Sequence, residues 1–182
     1  GTDAVRFGTM LMAPQGLDVL FSSKRLEVGR NFINKLWNAS RFVMMNVDDQ
    51  LPELEFSVKD LNLPELWILN RLQRTIERVD KNLSHFQFNE AAKAIYEFTW
   101  SDYCDWYIEI AKTHFSNGDK SSADSARAVT VHVLRKIILL LHPYAPFVTE
   151  EIWSQIKNNN DVDAIISDWP IVDEDWIDDT VD

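Results

Sequence analysis

Apolar residues recur every three or four positions through five separate stretches of this sequence, and nowhere do apolar and polar residues alternate for long. A spacing near 3.6 keeps such residues on one face of a helix, whereas a spacing of two would line one face of a strand. The pattern predicts an all-α chain. Five glycines and six prolines are too few for the many turns of a β-sandwich.

The breaks between periodic runs set the expected helices. Asp3 caps a first one running to about Ala13, where "APQG" stops it. Ser22 or Ser23 opens a long second helix over 23–46, which ends near "NVDDQLP". Pro64 suits the first turn of a third, whose stripe is Leu66, Leu69, Leu72, Ile76, Val79 and Leu83. Asn89 caps a fourth that runs to about Phe115, before "SNGDKS". Ser121 or Ser122 starts a fifth through Val129, Val133, Ile137 and Leu141, until "HPYAP" breaks it. Pro146 or Thr149 opens a short sixth. Helices of this kind, joined by short loops, predict an antiparallel bundle of five to six helices over residues 1–157. Residues 158–182 are expected to form an acidic tail, irregular or loosely docked.

No apolar run reaches the length of a membrane span, so no membrane partner is expected. Cys104 is the only cysteine, which excludes an internal disulfide. The opening "GTDAVRF" lacks the features of a signal peptide. These features together predict a cytoplasmic location. The net charge of −11 argues against nucleic acid until its distribution is considered. Residues 1–46 carry six Lys or Arg against three acids, while the remainder carries 12 bases and 26 acids. Nine of those acids, and no base, lie in residues 161–182.

Catalytic constellations are not evident. His85, His114, His132 and His142 show no metal-ligand spacing with each other or with Cys104. Cys104 sits mid-helix, where a buried thiol is expected. Glycines never cluster into a phosphate-binding loop. Glu150 and Glu151 are adjacent, so they diverge on a helix. We therefore expect no catalytic, cofactor or metal residues in this chain.

Binding chemistry is more visible. At 100° per residue, Leu26, Gly29, Ile33, Leu36, Ser40 and Met44 form the core face of the second helix, with Phe32, Trp37 and Val43 at its margins. Lys24, Asn31, Lys35, Asn38 and Phe42 fall on the opposite stripe, flanked by Arg30, Asn34 and Arg41. Phe42 is thus expected to point away from the core, at the end of a row of donors and cations. In "WSDYCDWYIEIAK" at 100–112, the rings of Trp100, Tyr103, Trp106 and Tyr107, with Ile110, cover more than one helical face, which predicts a central helix. Asp102, Asp105 and Glu109 are expected there as buried acceptors for Trp or Tyr donors, or for an arginine of another helix.

"GTDAVRF" at 1–7, "GRNFINKLWNASRF" at 29–42, "WSDYCDWYIEIAK" at 100–112 and "HPYAPFVTEEIW" at 142–153 occur in one order along the chain. Together they resemble the region of valyl-tRNA synthetase that follows its catalytic domain, over roughly residues 1–157. The resemblance implies an anticodon-binding domain whose partners are valine tRNA, through its anticodon loop, and the catalytic domain of the parent chain. It implies no DNA partner. The family's His-x-Gly-His and Lys-Met-Ser-Lys-Ser elements do not occur here. ATP and magnesium are accordingly expected for the parent ligase only, with this part inactive by itself and free of cofactors. Carried over by motif, Phe42 would stack on splayed anticodon bases. Lys35 and Arg41 would bond base edges or phosphates, Lys24 would add a basic group, and Asn31, Asn34 and Asn38 lie alongside. Arg6 and Phe7 would pack at the junction with the catalytic core. The competing reading is a helical interaction module whose polar stripe docks a protein, with the acidic tail suited to a basic partner.

Overall fold

The computed structural model describes residues 1–13, 16, 23–47, 61–117, 120–158 and 160–181. They form α1 (Thr2–Met12), α2 (Ser23–Asn46), α3 (Leu63–Ser84), α4 (Phe88–Glu97), a π-helical segment (Phe98–Tyr107), α5 (Ile108–Asn117), α6 (Lys120–Leu141) and α7 (Pro146–Ile156). Single 3-10 turns follow at Ala164–Ile166 and Glu174–Trp176. Among the described residues there is no strand. The chain is an all-α antiparallel bundle, as its periodicity predicts.

α6 forms much of the core. Its face from Ala126 through Val133, Leu134, Ile137 and Leu141 is buried, and it packs against α3, α5 and α7. α3 contributes Ile68, Leu69, Leu72, Ile76 and Val79. Leu66 and Leu83, at the ends of the expected α3 stripe, are half-buried.

The expected fourth helix is one rod of three parts, and its start and middle both differ from expectation. Gln87, not Asn89, is the N-cap of α4. Asn89 lies inside the first turn and spends its amide on Glu90 Oε1 at 3.0 Å. The middle widens into a π-helix. The buried pair Phe98 and Thr99 is followed by the buried pair Tyr103 and Cys104, each five residues on, where an α-helix would return after three or four. The extra residue keeps Asp102 out of the core and delivers Tyr103 and Tyr107 to α6. Their hydroxyls donate to the carbonyls of Thr130 (2.9 Å) and Ala126 (3.3 Å). Burial pushes the neighbouring Cys104 thiol up to about 12, so it is an inert packed side chain.

α1 crosses α2 at close range. A Cβ on Gly29 would lie 2.2 Å from the Ala4 carbonyl oxygen and 2.9 Å from the Gly8 nitrogen, so only glycine fits. Phe7 and Phe32 stack beside this crossing, with centroids 4.4 Å apart. Asp3 does not cap its own helix; Gly1 holds that position. Its buried carboxylate instead accepts from the Val148 N–H (2.6 Å) and the Phe147 N–H (3.5 Å) at the start of α7. Pro146 opens α7 and Ala145 precedes it, so neither offers a capping side chain, and Asp3 satisfies these orphan donors. Arg6 completes the clamp by donating to the carbonyls of Pro143 (3.1 Å) and Tyr144 (3.3 Å).

The acidic tail is irregular but anchored. Asn70 and Gln73, two buried amides of α3, bond the tail backbone: Asn70 exchanges two bonds with Asp178, and Gln73 accepts from the Asp173 N–H. Trp169 donates its indole N–H to Asp80 at 2.8 Å, and Arg135 pairs with Asp161. None of the described helices is long and apolar enough to cross a membrane.

Candidate nucleic-acid interface

α2 turns Gly29, Phe32, Leu36, Ser40 and Val43 inward. Its buried face is rotated by roughly 40° from the expected one, towards Phe32 and Val43. The opposite face rotates with it. Arg30, Asn31, Asn34, Asn38, Arg41 and Met45 are exposed. Asn31, Asn34, Asn38 and Arg41 have no hydrogen-bond or ion-pair partner among the described residues. Arg30 reaches Glu27 one turn back, at 3.6 Å. A row of amide donors and acceptors ending in a guanidinium therefore faces solvent along about three turns.

The same rotation carries Lys35 and Phe42 to the flank, where the π segment and α5 meet them. Lys35 pairs with Asp105, and its ammonium sits 4.0 Å from the centroid of the Trp100 ring. Phe42 is half-buried rather than free. It stacks on Phe115 (centroids 6.2 Å, planes 22° apart), and the Lys112 ammonium lies 5.1 Å from its ring. Arg127 in turn lies 5.5 Å from the Phe115 ring and donates to the Asn46 carbonyl at the end of α2. Phe42 is thus the outer member of a ring-and-cation stack with one partly open side. The side chain of Lys24 lies outside the described residues. Of the expected site residues, Asn31, Asn38 and Arg41 share the exposed face, while Lys35 and Phe42 share the flank beside it.

Two groups of the π segment are more exposed than the sequence predicts. Asp105 is an exposed carboxylate that fixes Lys35, and Trp106 next to it leaves 64% of its surface exposed. The sequence places Trp106 in the core because it assumes α spacing; the π insertion swings it out. Asp102 behaves as expected of an acceptor for another helix, taking Arg71 of α3 at 2.9 Å. Glu109 pairs locally with Lys112 at 2.6 Å. The π segment therefore forms a ridge between α2 and α3. Asp105 holds Lys35 from the α2 side and Asp102 holds Arg71 from the α3 side, with the exposed indole of Trp106 beside them.

Residues 65–182 match a family model described as the anticodon-binding domain of tRNA ligase. The chain is 41% identical over 175 residues to the valine–tRNA ligase of Bacillus cereus, covering 96% of this chain and 20% of that protein. It is 39% identical over 179 residues to the valine–tRNA ligase of Enterococcus faecalis, covering 98% and 20%. The chain spans about a fifth of the length of these relatives. Among solved structures, it is similar to LeuRS in the ternary complex of Agrobacterium radiobacter LeuRS, tRNA and LeuAMS. That match has a TM-score of 0.72 at 19% identity, over 98% of this chain and 20% of that one. The apo form of Mycobacterium tuberculosis methionyl-tRNA synthetase matches with a TM-score of 0.67 at 21% identity, over 84% of this chain and 32% of that one. At these identities the two structures speak for the fold. The family match begins at Glu65, so the exposed row on α2 lies outside it.

Proposed function

The chain belongs to the anticodon-binding domain family of tRNA ligases, and on that premise we propose that it binds the anticodon loop of valine tRNA within a valine–tRNA ligase. The relatives from Bacillus cereus and Enterococcus faecalis, at 41% and 39% identity, are both valine–tRNA ligases, which supports the choice of amino acid. ATP, magnesium and the transfer of valine belong in this reading to other domains of the parent, and the bundle alone is inactive.

The observation that carries the reading is the outer face of α2. Amides and a guanidinium are held there without partners among the described residues, beside aromatic rings on the flank. Single-stranded loops are read by such groups: amides and arginine bond the edges of splayed bases, and rings stack on their faces. Asn31, Asn34, Asn38 and Arg41 supply the first kind of contact. The open side of Phe42 and the exposed Trp106 supply the second. Lys35, already paired with Asp105, serves best by setting the distance between α2 and the π segment.

The test is a titration of the protein with a labelled valine anticodon stem-loop, beside one whose second and third anticodon bases are exchanged. The authentic loop should bind more tightly. Equal affinities would reduce the interaction to charge attraction and overturn base reading by this domain. Absence of binding to both loops would favour a protein-docking role for the α2 face.

A further inference from the structure

We propose that Arg74 and Arg78 of α3 form a second wall of the RNA site, a track for backbone phosphates, and that the tail carboxylate Asp179 competes with RNA for it. The inference rests on the anticodon-loop reading and extends it to a helix that carries none of the residues assigned to base contacts above.

α3 places Arg71, Arg74, Arg78 and Lys81 at i, i+3, i+7 and i+10, which is one stripe of a helix. The four are not equivalent. Arg71 is held by Asp102, whose side chain is only 17% exposed, and so belongs to the packing between α3 and the π segment. Arg74 and Arg78 differ from it in their partners, which are carboxylates more exposed than Asp102. Arg74 contacts Asp179 and lies 3.7 Å from Glu77. Arg78 meets Glu97 at 2.8 Å. Their partners stand in water: the Asp179 side chain is 88% exposed. Such surface pairs are weak and exchange readily for another anion. Phosphate is a strong competitor, because the planar guanidinium matches two of its oxygens and the ligand adds no carbon chain to order. Lys81, exposed at the end of the stripe, has no ion pair among the described residues.

The position of the stripe ties it to the α2 face. Asp105 and Asp102 of the π segment bind Lys35 of α2 and Arg71 of α3, with Trp106 exposed beside them. An RNA loop stacked near Trp106 thus has donors for its bases on the α2 side and cations for its backbone on the α3 side. The tail enters the same stripe. Asp178 is fixed to Asn70 through its backbone, which presents the next residue, Asp179, to Arg74. A carboxylate there stands where a phosphate would bind.

The experiment measures affinity for the labelled valine anticodon stem-loop across a salt series. The proteins are the unmodified chain, Arg74→Gln/Arg78→Gln, Asp179→Asn, Asp175→Asn and Arg41→Ala, each checked for an unchanged circular-dichroism spectrum. The double variant should bind about tenfold more weakly at low salt, with the log–log salt slope reduced by about 2. Asp179→Asn should bind about two- to fivefold more tightly, because it removes the competitor. Asp175→Asn removes the same charge from a carboxylate without a cationic partner among the described residues, and should change little. A double variant with an unchanged slope would overturn the track, and so would equal tightening by both tail variants. If Arg41→Ala weakens binding while the double variant does not, the α2 reading stands and the α3 track falls. If the unmodified chain ignores the stem-loop, both fall together.

Discussion

α2 and α6 are nearly the same length, 24 and 22 residues, yet they treat water in opposite ways. α6 buries twelve side chains, nearly all apolar or alanine, and touches most of the bundle. α2 buries little more than one narrow stripe and turns Arg30, Asn31, Asn34, Asn38 and Arg41 to water. Asparagine is a poor residue for a helix interior, costing about 0.5 kcal/mol relative to alanine at an exposed site. A helix meant only to cover the core has no reason to carry three in one exposed row. The contrast separates a helix chosen for stability from one chosen for what it displays. Substitutions in the two should therefore fail in different assays.

The largest effects belong to α6. Leu134→Ala empties a fully buried site and should cost about 3 kcal/mol, lowering Tm by roughly 6–12 °C in a thermal melt. A loss below about 1 kcal/mol would mean that α6 is not the packed centre. Acid should expose the same helix by another route. Burial, reinforced by Lys136 and Arg135 and opposed by Asp173, pushes the His132 imidazole down to about 4. The unfolded chain accepts that proton near pH 6.5. Stability from His132 is therefore complete above pH 6.5 and declines as the pH falls towards 4, by at most about 3 kcal/mol. Denaturant titrations between those pH values should show the decline, and His132→Gln should flatten it. An equal slope in His132→Gln would assign acid sensitivity elsewhere.

Much of this division was legible beforehand. Proline, serine and apolar spacing placed the ends of α2, α3, α6 and α7 within a few residues, because those signals act locally. What the sequence concealed depends on distant partners. The carboxylate of Asp3 resembles a cap for its own helix, but it serves the N–H of Val148, 145 residues away. The π insertion has no local marker in "FTWSDYCDWY"; it follows from the two tyrosines that must reach α6. That insertion also explains the misjudged rotation of α2. The widened segment brings Trp100 and Asp105 against one flank of α2, and Phe115 follows from α5. Helical spacing sets Lys35 and Phe42 opposite the core stripe, and the structure moves both to the flank, where partners from elements distant in sequence meet them.

Phe42 lies on the boundary between the two kinds of helix, so it should fail in both assays. Phe42→Ala removes its stack on Phe115 and should cost about 1–2 kcal/mol of stability. If the open side of the ring also stacks on a base, stem-loop affinity falls roughly 10- to 100-fold. Phe42→Leu separates the effects by keeping much of the buried apolar contact while removing the aromatic face. A leucine variant with near-normal Tm and weakened RNA binding would place Phe42 in the site. Normal binding would leave it as packing alone.

The smallest expected change tests the comparison most directly. Asn38 is exposed at mid-helix and has no hydrogen-bond partner among the described residues. Asn38→Ala should therefore raise stability by about 0.5 kcal/mol, a gain of about 1–2 °C in Tm, simply by improving helix propensity. If Asn38 bonds a base edge, the same substitution should weaken stem-loop binding several-fold, since a base group loses its partner. A gain in one measurement with a loss in the other cannot come from damage to the fold. A gain in stability with unchanged RNA affinity would remove Asn38 from the interface and leave its presence on α2 without a functional reason.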